Sequence, residues 1–290
     1  MRKISYSLLA IPIYLIALLP FPLFYLFCDV LFLLGYYILG YRRNVINQNL
    51  ANAFPEKSIK ERELIAKLYM RFMIDLFLES CKIFVMTKQG VKKRVVFTNM
   101  EVLQPFVDQK QSIIFVLGHY GNWEWCGQSF QLHAIGLQQD VLYHPLSSPF
   151  FEWLTYKLRT RWGVCPIPMN SSVKMMLGRK QIQTATAFLA DQTPSSKEGC
   201  YWLNFLNQDT PVFKGTEKLA MKFNRPVVFV HINRIKRGYY QGSFTLITDK
   251  PAEMPEGWIT EQHTRLLEAD INRKPEFWLW SHRRWKHTRL

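Results

Sequence analysis

The stretch "SIIFVLGHYGNWEW" (residues 112–125) decides how this chain is read. An uncharged, β-branched and aromatic run, 112–117, meets a turn that holds two glycines, a histidine and an asparagine. A continuously apolar run of this length predicts a strand covered on both faces, as in a parallel sheet between helices. Gly118 and Gly121 permit a tight or left-handed turn. Asn122 is a favourable N-cap, so a helix is predicted over 122–135, with Glu124 in its first turn. Loops at this end of α/β strands carry function, which makes His119 a candidate base. A separation of five does not align His119 and Glu124 on one helix face. A loop histidine can nevertheless fold back onto a carboxylate in the next turn. The carboxylate would fix the ring tautomer and leave the second nitrogen as a base. The same residues would equally suit a structural histidine in a strand–helix turn.

The pattern continues outward from this unit. Short β-rich runs recur at 94–97, 140–143, 186–190, 226–232 and 243–247, with helical patterns at 148–161, 171–182 and 214–224. The alternation predicts an α/β fold with a central sheet flanked by helices. Upstream, 52–84 reads as one helix. Ser58 and Glu61 form a capping-box pattern, and Leu64, Leu68, Phe72 and Leu76 recur as an apolar stripe. Its basic side suits either solvent or anionic headgroups.

The N-terminus is of a different kind. Between Ile4 and Tyr41 the only charge is Asp29. That is long enough for a membrane span of roughly 20 residues with excess, and too long for a cleaved signal. "PFP" at 20–22 interrupts it, because proline breaks helices. One kinked span and a re-entrant hairpin of two arms both fit. Arg42, Arg43, Lys57 and Lys60 follow, which puts that flank in the cytoplasm by the positive-inside rule. The expected organisation is a membrane anchor over 1–45 and an α/β domain over 46–290, with 46–90 as a helical lead-in.

Thirty-seven Lys and Arg against 22 Asp and Glu, net +15, favour anionic partners. Cys28, Cys81, Cys126, Cys165 and Cys200 are scattered and odd in number, which argues against a disulfide framework or zinc site. No G-x-S-x-G elbow, P-loop, G-x-G-x-x-G or H-E-x-x-H is present. A base at His119 would therefore activate the substrate's own hydroxyl.

"GHYGNWEW" resembles the H-x4-D/E signature of membrane glycerolipid acyltransferases. More closely it resembles the late acyltransferases of bacterial lipid A biosynthesis. Four further blocks carry the resemblance in order: "LYHPLSSPFFEWLTYKLRTRWG" (142–163), "LADQTP" (189–194), "TPVFKGTEKLAMKFNRPVVFV" (210–230) and "FWLWSHRRWK" (277–286). His144 departs from the family's usual arginine in the second block. The resemblance implies a glycerolipid-acyltransferase-like sheet. It also implies O-acyl transfer from an acyl-carrier-protein thioester to a lipid A precursor at the cytoplasmic face of the inner membrane. The acyl-carrier protein is then a cosubstrate, with no cofactor or metal and no nucleic-acid partner. His119 would be the base, held by Glu124. Asn122, Arg159, Arg161, Asp191, Lys214, Gly215, Arg283 and Arg284 would contact substrate. Arg159 and Arg161 suit phosphate. Asp191 suits an orienting role, paired to one of these arginines. The amides of Gly121–Trp123, Arg161 or Lys214 would stabilise the oxyanion. Trp123, Trp125, Trp153 and Trp162 would line an acyl channel or belong to the core. The rival readings are an acyltransferase for a phospholipid, ornithine lipid or glycolipid, one using acyl-CoA, and a non-catalytic basic protein binding anionic lipid or nucleic acid.

Overall fold

A computed structural model describes residues 2–133, 135–287 and 289. Seven strands form the central sheet in the order β1-β9-β8-β2-β5-β3-β4. They are β1 (Val95–Phe97), β2 (Ile113–Leu117), β3 (Gln138–Tyr143), β4 (Cys165–Pro168), β5 (Thr184–Leu189), β8 (Val227–Lys236) and β9 (Tyr239–Thr248). A separate antiparallel hairpin pairs β6 (Tyr201–Phe205) with β7 (Gln208–Val212). Every neighbouring pair in the large sheet is parallel except β8 with β9. All five residues of β2 are buried, as its unbroken apolar run requires of a central strand. The helices are α1 (Arg2–Leu9), α2 (Ile11–Leu18), α3 (Phe21–Leu33), α4 (Arg43–Ala53), α5 (Ile59–Lys82), α6 (Lys88–Arg94), α7 (Gln104–Asp108), α8 (Trp123–Leu132), α9 (Pro149–Thr160), α10 (Ser172–Gly178), α11 (Gly215–Phe223) and α12 (Trp258–Arg273).

The mixed α/β sheet and its flanking helices match the sequence reading, with local differences. The segment 52–84 is not one helix. It breaks between Ala53 and Ile59, where Ser58 and Glu61 form the expected reciprocal cap. The buried side of α5 is also rotated from the expected stripe. Phe72 and Leu76 are buried, but Leu64 and Leu68 are exposed, and Ile65, Tyr69 and Met73 take their place. A four-residue repeat drifts around a helix of 3.6 residues per turn, so it cannot stay on one face. β4, the β6–β7 hairpin and α12 lie in segments without an expected element. α10 ends at Gly178, short of the expected 182.

Leu19 and Pro20 adopt extended ψ values, 136° and 146°, and separate α2 from α3. The apolar N-terminal segment is therefore two helical arms. The Lys82 ammonium donates to the carbonyls of Ala17 (2.8 Å) and Leu19 at the break, satisfying acceptors that a helix end leaves free. Residues 21–39 form one helical stretch of 19 residues, long and apolar enough to cross a membrane. At 1.5 Å per residue it spans about 28 Å, close to the bilayer's hydrocarbon thickness. Leu23, Leu26, Val30, Leu33 and Ile38 are exposed on it.

This segment is bound into the body rather than set apart from it. Asp29 accepts hydrogen bonds from Arg71 (3.1 Å) and from two nitrogens of Arg237 (2.9 and 2.8 Å). Arg237 in turn bridges to Asp75 on α5. Tyr25 donates to Glu79 at 2.8 Å.

Candidate functional site

The register of the sheet builds the site. β2 and β5 are parallel neighbours with Leu117 opposite Leu189. Two residues beyond each lie His119 and Asp191, so both emerge from the same C-terminal sheet edge. His119 Nδ1 is 2.6 Å from Asp191 Oδ1, and the His119 amide donates to Oδ2 at 2.8 Å. Trp278 Nε1 donates to the same Oδ2 at 2.8 Å. With Nδ1 carrying the proton toward Asp191, Nε2 is left as the acceptor and base. Burial would raise the Asp191 carboxyl, but the neighbouring His119 charge and these donors outweigh it and hold it down at about 2.

The turn that presents His119 has little freedom. Gly121 has φ +65°, and a Cβ there would come 2.4 Å from Ile232. At Gly118 a Cβ would come 2.6 Å from Leu267. Asn122 caps α8 by accepting from the Trp125 amide at 2.9 Å, and its side-chain amide donates to Glu79 at 2.8 Å. Glu79 also accepts from Tyr240 at 2.6 Å. Burial is the main cause that raises the Glu79 carboxyl.

The expected contact between Glu124 and His119 is not formed. Glu124 instead makes a two-point ion pair with Arg159 of α9, through Nε at 3.2 Å and a second guanidinium nitrogen. Asp191, expected to orient by pairing an arginine, holds the histidine. The two acids thus exchange the partners expected of them: Asp191 takes the histidine and Glu124 takes Arg159.

Nε2 of His119 faces a surface groove of about 360 Å³, bordered by Trp123, Glu124, Tyr143, His144, Arg159 and Gln192. Gln192 Nε2 lies 3.3 Å from His119 Nε2. Trp123 packs edge-on against the His119 ring, with centroids 4.9 Å apart. A second, apolar cavity lies between α8 and the sheet, running across β3, β5, β2, β8 and β9 to Phe97 on β1. Trp123, Glu124, Val141, Arg159 and Leu189 border both spaces, so the slot under the helix adjoins the groove at the histidine.

Against this geometry stand the comparisons with known proteins. Residues 1–287 match the family described as bacterial lipid A biosynthesis acyltransferase. The chain belongs to that family. Its sequence is similar to the lipid A biosynthesis palmitoleoyltransferase of Escherichia coli (strain K12), with 24% identity covering 84% of this chain and 79% of the relative. The lipid A biosynthesis acyltransferase of Shigella flexneri gives the same figures. The lipid A biosynthesis lauroyltransferase of E. coli (strain K12) is 22% identical over 94% of this chain and 89% of its own.

Several of the residues expected to contact substrate are engaged away from the groove. Asn122 is fully buried and spent on Glu79 and the helix cap. Arg161 donates to the carbonyls of Ile83 and Met86 after α5, not to the groove. The Gly121 amide is taken by Phe277 O at 3.0 Å, which removes it from the oxyanion donors. Lys214 pairs with Glu256 at 2.5 Å and does not border the groove. Gly215 is buried beside Phe213, whose ring a Cβ would strike at 2.0 Å. Arg284 is 1% exposed and donates to Pro211 O, so it cannot grip a surface phosphate. Arg283 is exposed. The C-terminal block 277–286 packs partly into the body: Trp280 and Ser281 are buried, and the Ser281 amide donates to the Tyr69 hydroxyl. Of the four tryptophans, Trp123 borders the groove, Trp125 is core, Trp153 packs on Tyr6, and Trp162 lies partly buried against the core. Trp278 and Gln192 were missed. Both sit inside quoted blocks, Gln192 directly after Asp191, but side-chain direction beyond a strand end is not readable from sequence. Among the described residues no group of three or more His, Cys, Asp and Glu is gathered to hold a metal ion.

Proposed function

We propose that this protein transfers a fatty acyl chain from an acyl-carrier-protein thioester to a hydroxyl of a lipid A precursor, at the cytoplasmic face of the inner membrane. The observation that carries the reading is the position of His119, which borders a groove that shares a wall with an apolar slot. A base beside an apolar space suits transfer of an acyl chain to a hydroxyl. Family membership and the acyl-transferring relatives support the same chemistry.

His119 Nε2 removes the acceptor's proton as its oxygen attacks the thioester carbonyl. The tetrahedral oxyanion collapses, the new C–O bond remains, and the C–S bond breaks. The imidazolium returns its proton to the leaving thiolate. Asp191 holds Nδ1–H throughout and offsets the imidazolium charge. Arg159 gives two of its guanidinium N–H groups to Glu124 and keeps others for the oxyanion or for an acceptor phosphate. Gln192 supplies a neutral donor on the same side. The apolar helix 21–39 anchors the groove at the bilayer, where the lipid acceptor resides, and the basic balance suits an acidic carrier protein and anionic headgroups.

Mass spectrometry of lipid A from cells with the gene, without it, and with His119→Ala tests the reading. One acyl chain should be missing from the second and third. An unchanged pattern in cells lacking the gene refutes the lipid A acceptor. Parallel reactions with acyl-carrier-protein and acyl-CoA thioesters decide the donor.

A further inference from the structure

The slot under α8 has an unusual wall. Taking 100° per residue, Trp123, Glu124, Cys126, Gly127, Gln128 and Phe130, the α8 residues that border it, span an arc whose centre falls on position 127. That position has no side chain. Apart from its own helix, a Cβ built on Gly127 meets none of the described residues within 4 Å, whereas one at Gly118 or Gly121 would collide at once. Gly127 lies inside a helix with no positive φ to excuse it, where glycine is disfavoured relative to alanine. Neither backbone conformation nor close packing calls for glycine here. What its absent side chain leaves is open space in the middle of an apolar slot of about 60 Å³.

Along α8 the bordering residues run Trp123, Gly127 and Phe130, so Gly127 lies between the wall shared with the groove and the aromatic group of Phe115, Phe130 and Phe244. Phe115 stacks on Phe244 with centroids 5.5 Å apart, and Phe130 closes on Phe115 at 4.9 Å. These rings pack together as an end wall of the slot, with Gly127 one turn before Phe130 on the helix.

We infer that Gly127 sets the length of acyl chain this protein accepts, by leaving the slot open past the first turn of α8. The inference rests on the acyl-transfer reading and specifies how its donor is selected. A side chain at position 127 blocks the slot between the wall shared with the groove and the end wall, so the outer part remains usable and the inner part is lost. Each methylene denied its apolar site changes selectivity by roughly tenfold or more. Gly127→Ala should trim the preference slightly. Gly127→Met should move it several carbons shorter.

The experiment measures acyl transfer to lipid A precursor by the full-length membrane protein, using a ladder of acyl-carrier-protein thioesters from octanoyl to palmitoyl. Gly127→Ala and Gly127→Met are compared with wild type, and rates are taken as ratios between chain lengths within each protein. Binding of the matching free fatty acids, followed by tryptophan fluorescence, is measured on the same three proteins. The expected result is a parallel shift to shorter chains in both measurements, with short-chain rates retained by the alanine variant. An unchanged ladder of rates or affinities in Gly127→Met, with its melting temperature kept, overturns the inference. An unfolded Gly127→Met leaves Gly127→Ala to decide, by whether its long-to-short ratio falls. If wild type acylates no lipid A precursor but the fatty-acid ladder still shifts at position 127, the acceptor reading fails and the assignment of Gly127 stands.

Discussion

Asp191→Asn isolates the role of the acid that holds His119. The carboxamide keeps the shape of the carboxylate. Its oxygen, placed where Oδ2 lies, still accepts from the His119 amide and from Trp278 Nε1, both at 2.8 Å. Its NH2 then faces His119 Nδ1 across the 2.6 Å contact. Nδ1 must become the acceptor, and the ring proton moves to Nε2, the nitrogen that faces the groove. A base protonated at its working nitrogen loses its contribution, typically ~10²–10⁴ in rate. Two effects on stability accompany this. Replacing charge-assisted bonds with neutral ones costs about 1–3 kcal/mol. The variant also loses a pH-dependent term. The Asp191 carboxyl, held at about 2 in the folded protein against 3.8, stabilises the fold by about 2 kcal/mol above pH ~4. That stability declines as the pH falls from ~4 toward 2, because the unfolded chain takes up the proton first. The assay is single-turnover acyl transfer by the detergent-solubilised protein, with thermal melts at neutral and acid pH. The expected outcome is a collapse of the chemical step with substrate affinity kept. A variant that folds and retains most of the wild-type rate would refute the tautomer-holding role of Asp191.

Glu79→Ala removes the acceptor shared by Tyr25, Tyr240 and Asn122; it should destabilise by about 3 kcal/mol or more, whereas Glu79→Gln, which keeps an acceptor for Tyr240 and Asn122, should melt close to wild type. A double-mutant cycle on Glu124→Gln and Arg159→Met should show strong coupling in kcat, with the double variant less impaired than the two losses summed, because removing one partner strands the other charge at the groove. Burial holds the His263 imidazole down at about 4, and its Nε2 finds no hydrogen-bond partner among the described residues; folded stability of about 3 kcal/mol present at pH ~7 is lost between ~6.5 and ~4 as the unfolded chain protonates first, so His263→Phe should lower the acid-unfolding midpoint read by circular dichroism. Arg161→Ala should lower the melting temperature and leave the transfer rate per folded molecule near wild type, since its guanidinium holds the carbonyls of Ile83 and Met86.

What the sequence disclosed about this site follows from where the information lies. β2 and the start of α8 are local: an apolar run, two glycines and a capping asparagine specify strand, turn and helix within 14 residues. The partner of His119 is 72 residues away and is selected by strand pairing, with Leu117 set against Leu189. Nothing in the turn records that pairing, so the nearer acid, Glu124, was the natural choice. The fate of the arginines is likewise non-local. Arg159 and Arg161 look alike in "RTR", yet 200° of helical rotation sends one toward Glu124 and the other to the end of α5. The hairpin β6–β7 went unseen because a two-stranded ribbon with half-exposed positions lacks the unbroken apolar runs of the central strands.

The clamp on Asp29 has a bearing on how the protein is made. A ribosome delivers residues 21–39 before the rest of the clamp, so under the proposed membrane reading the apolar helix would meet the bilayer carrying an acid whose partners do not yet exist. Arg71 arrives 42 residues later and Arg237 only 208 residues later, on the hairpin between β8 and β9. Until then the helix bears an uncompensated charge that resists deep burial in hydrocarbon. Completion of the sheet therefore completes the clamp, and a nascent chain halted before Arg237 should hold the helix 21–39 less firmly than the finished protein does.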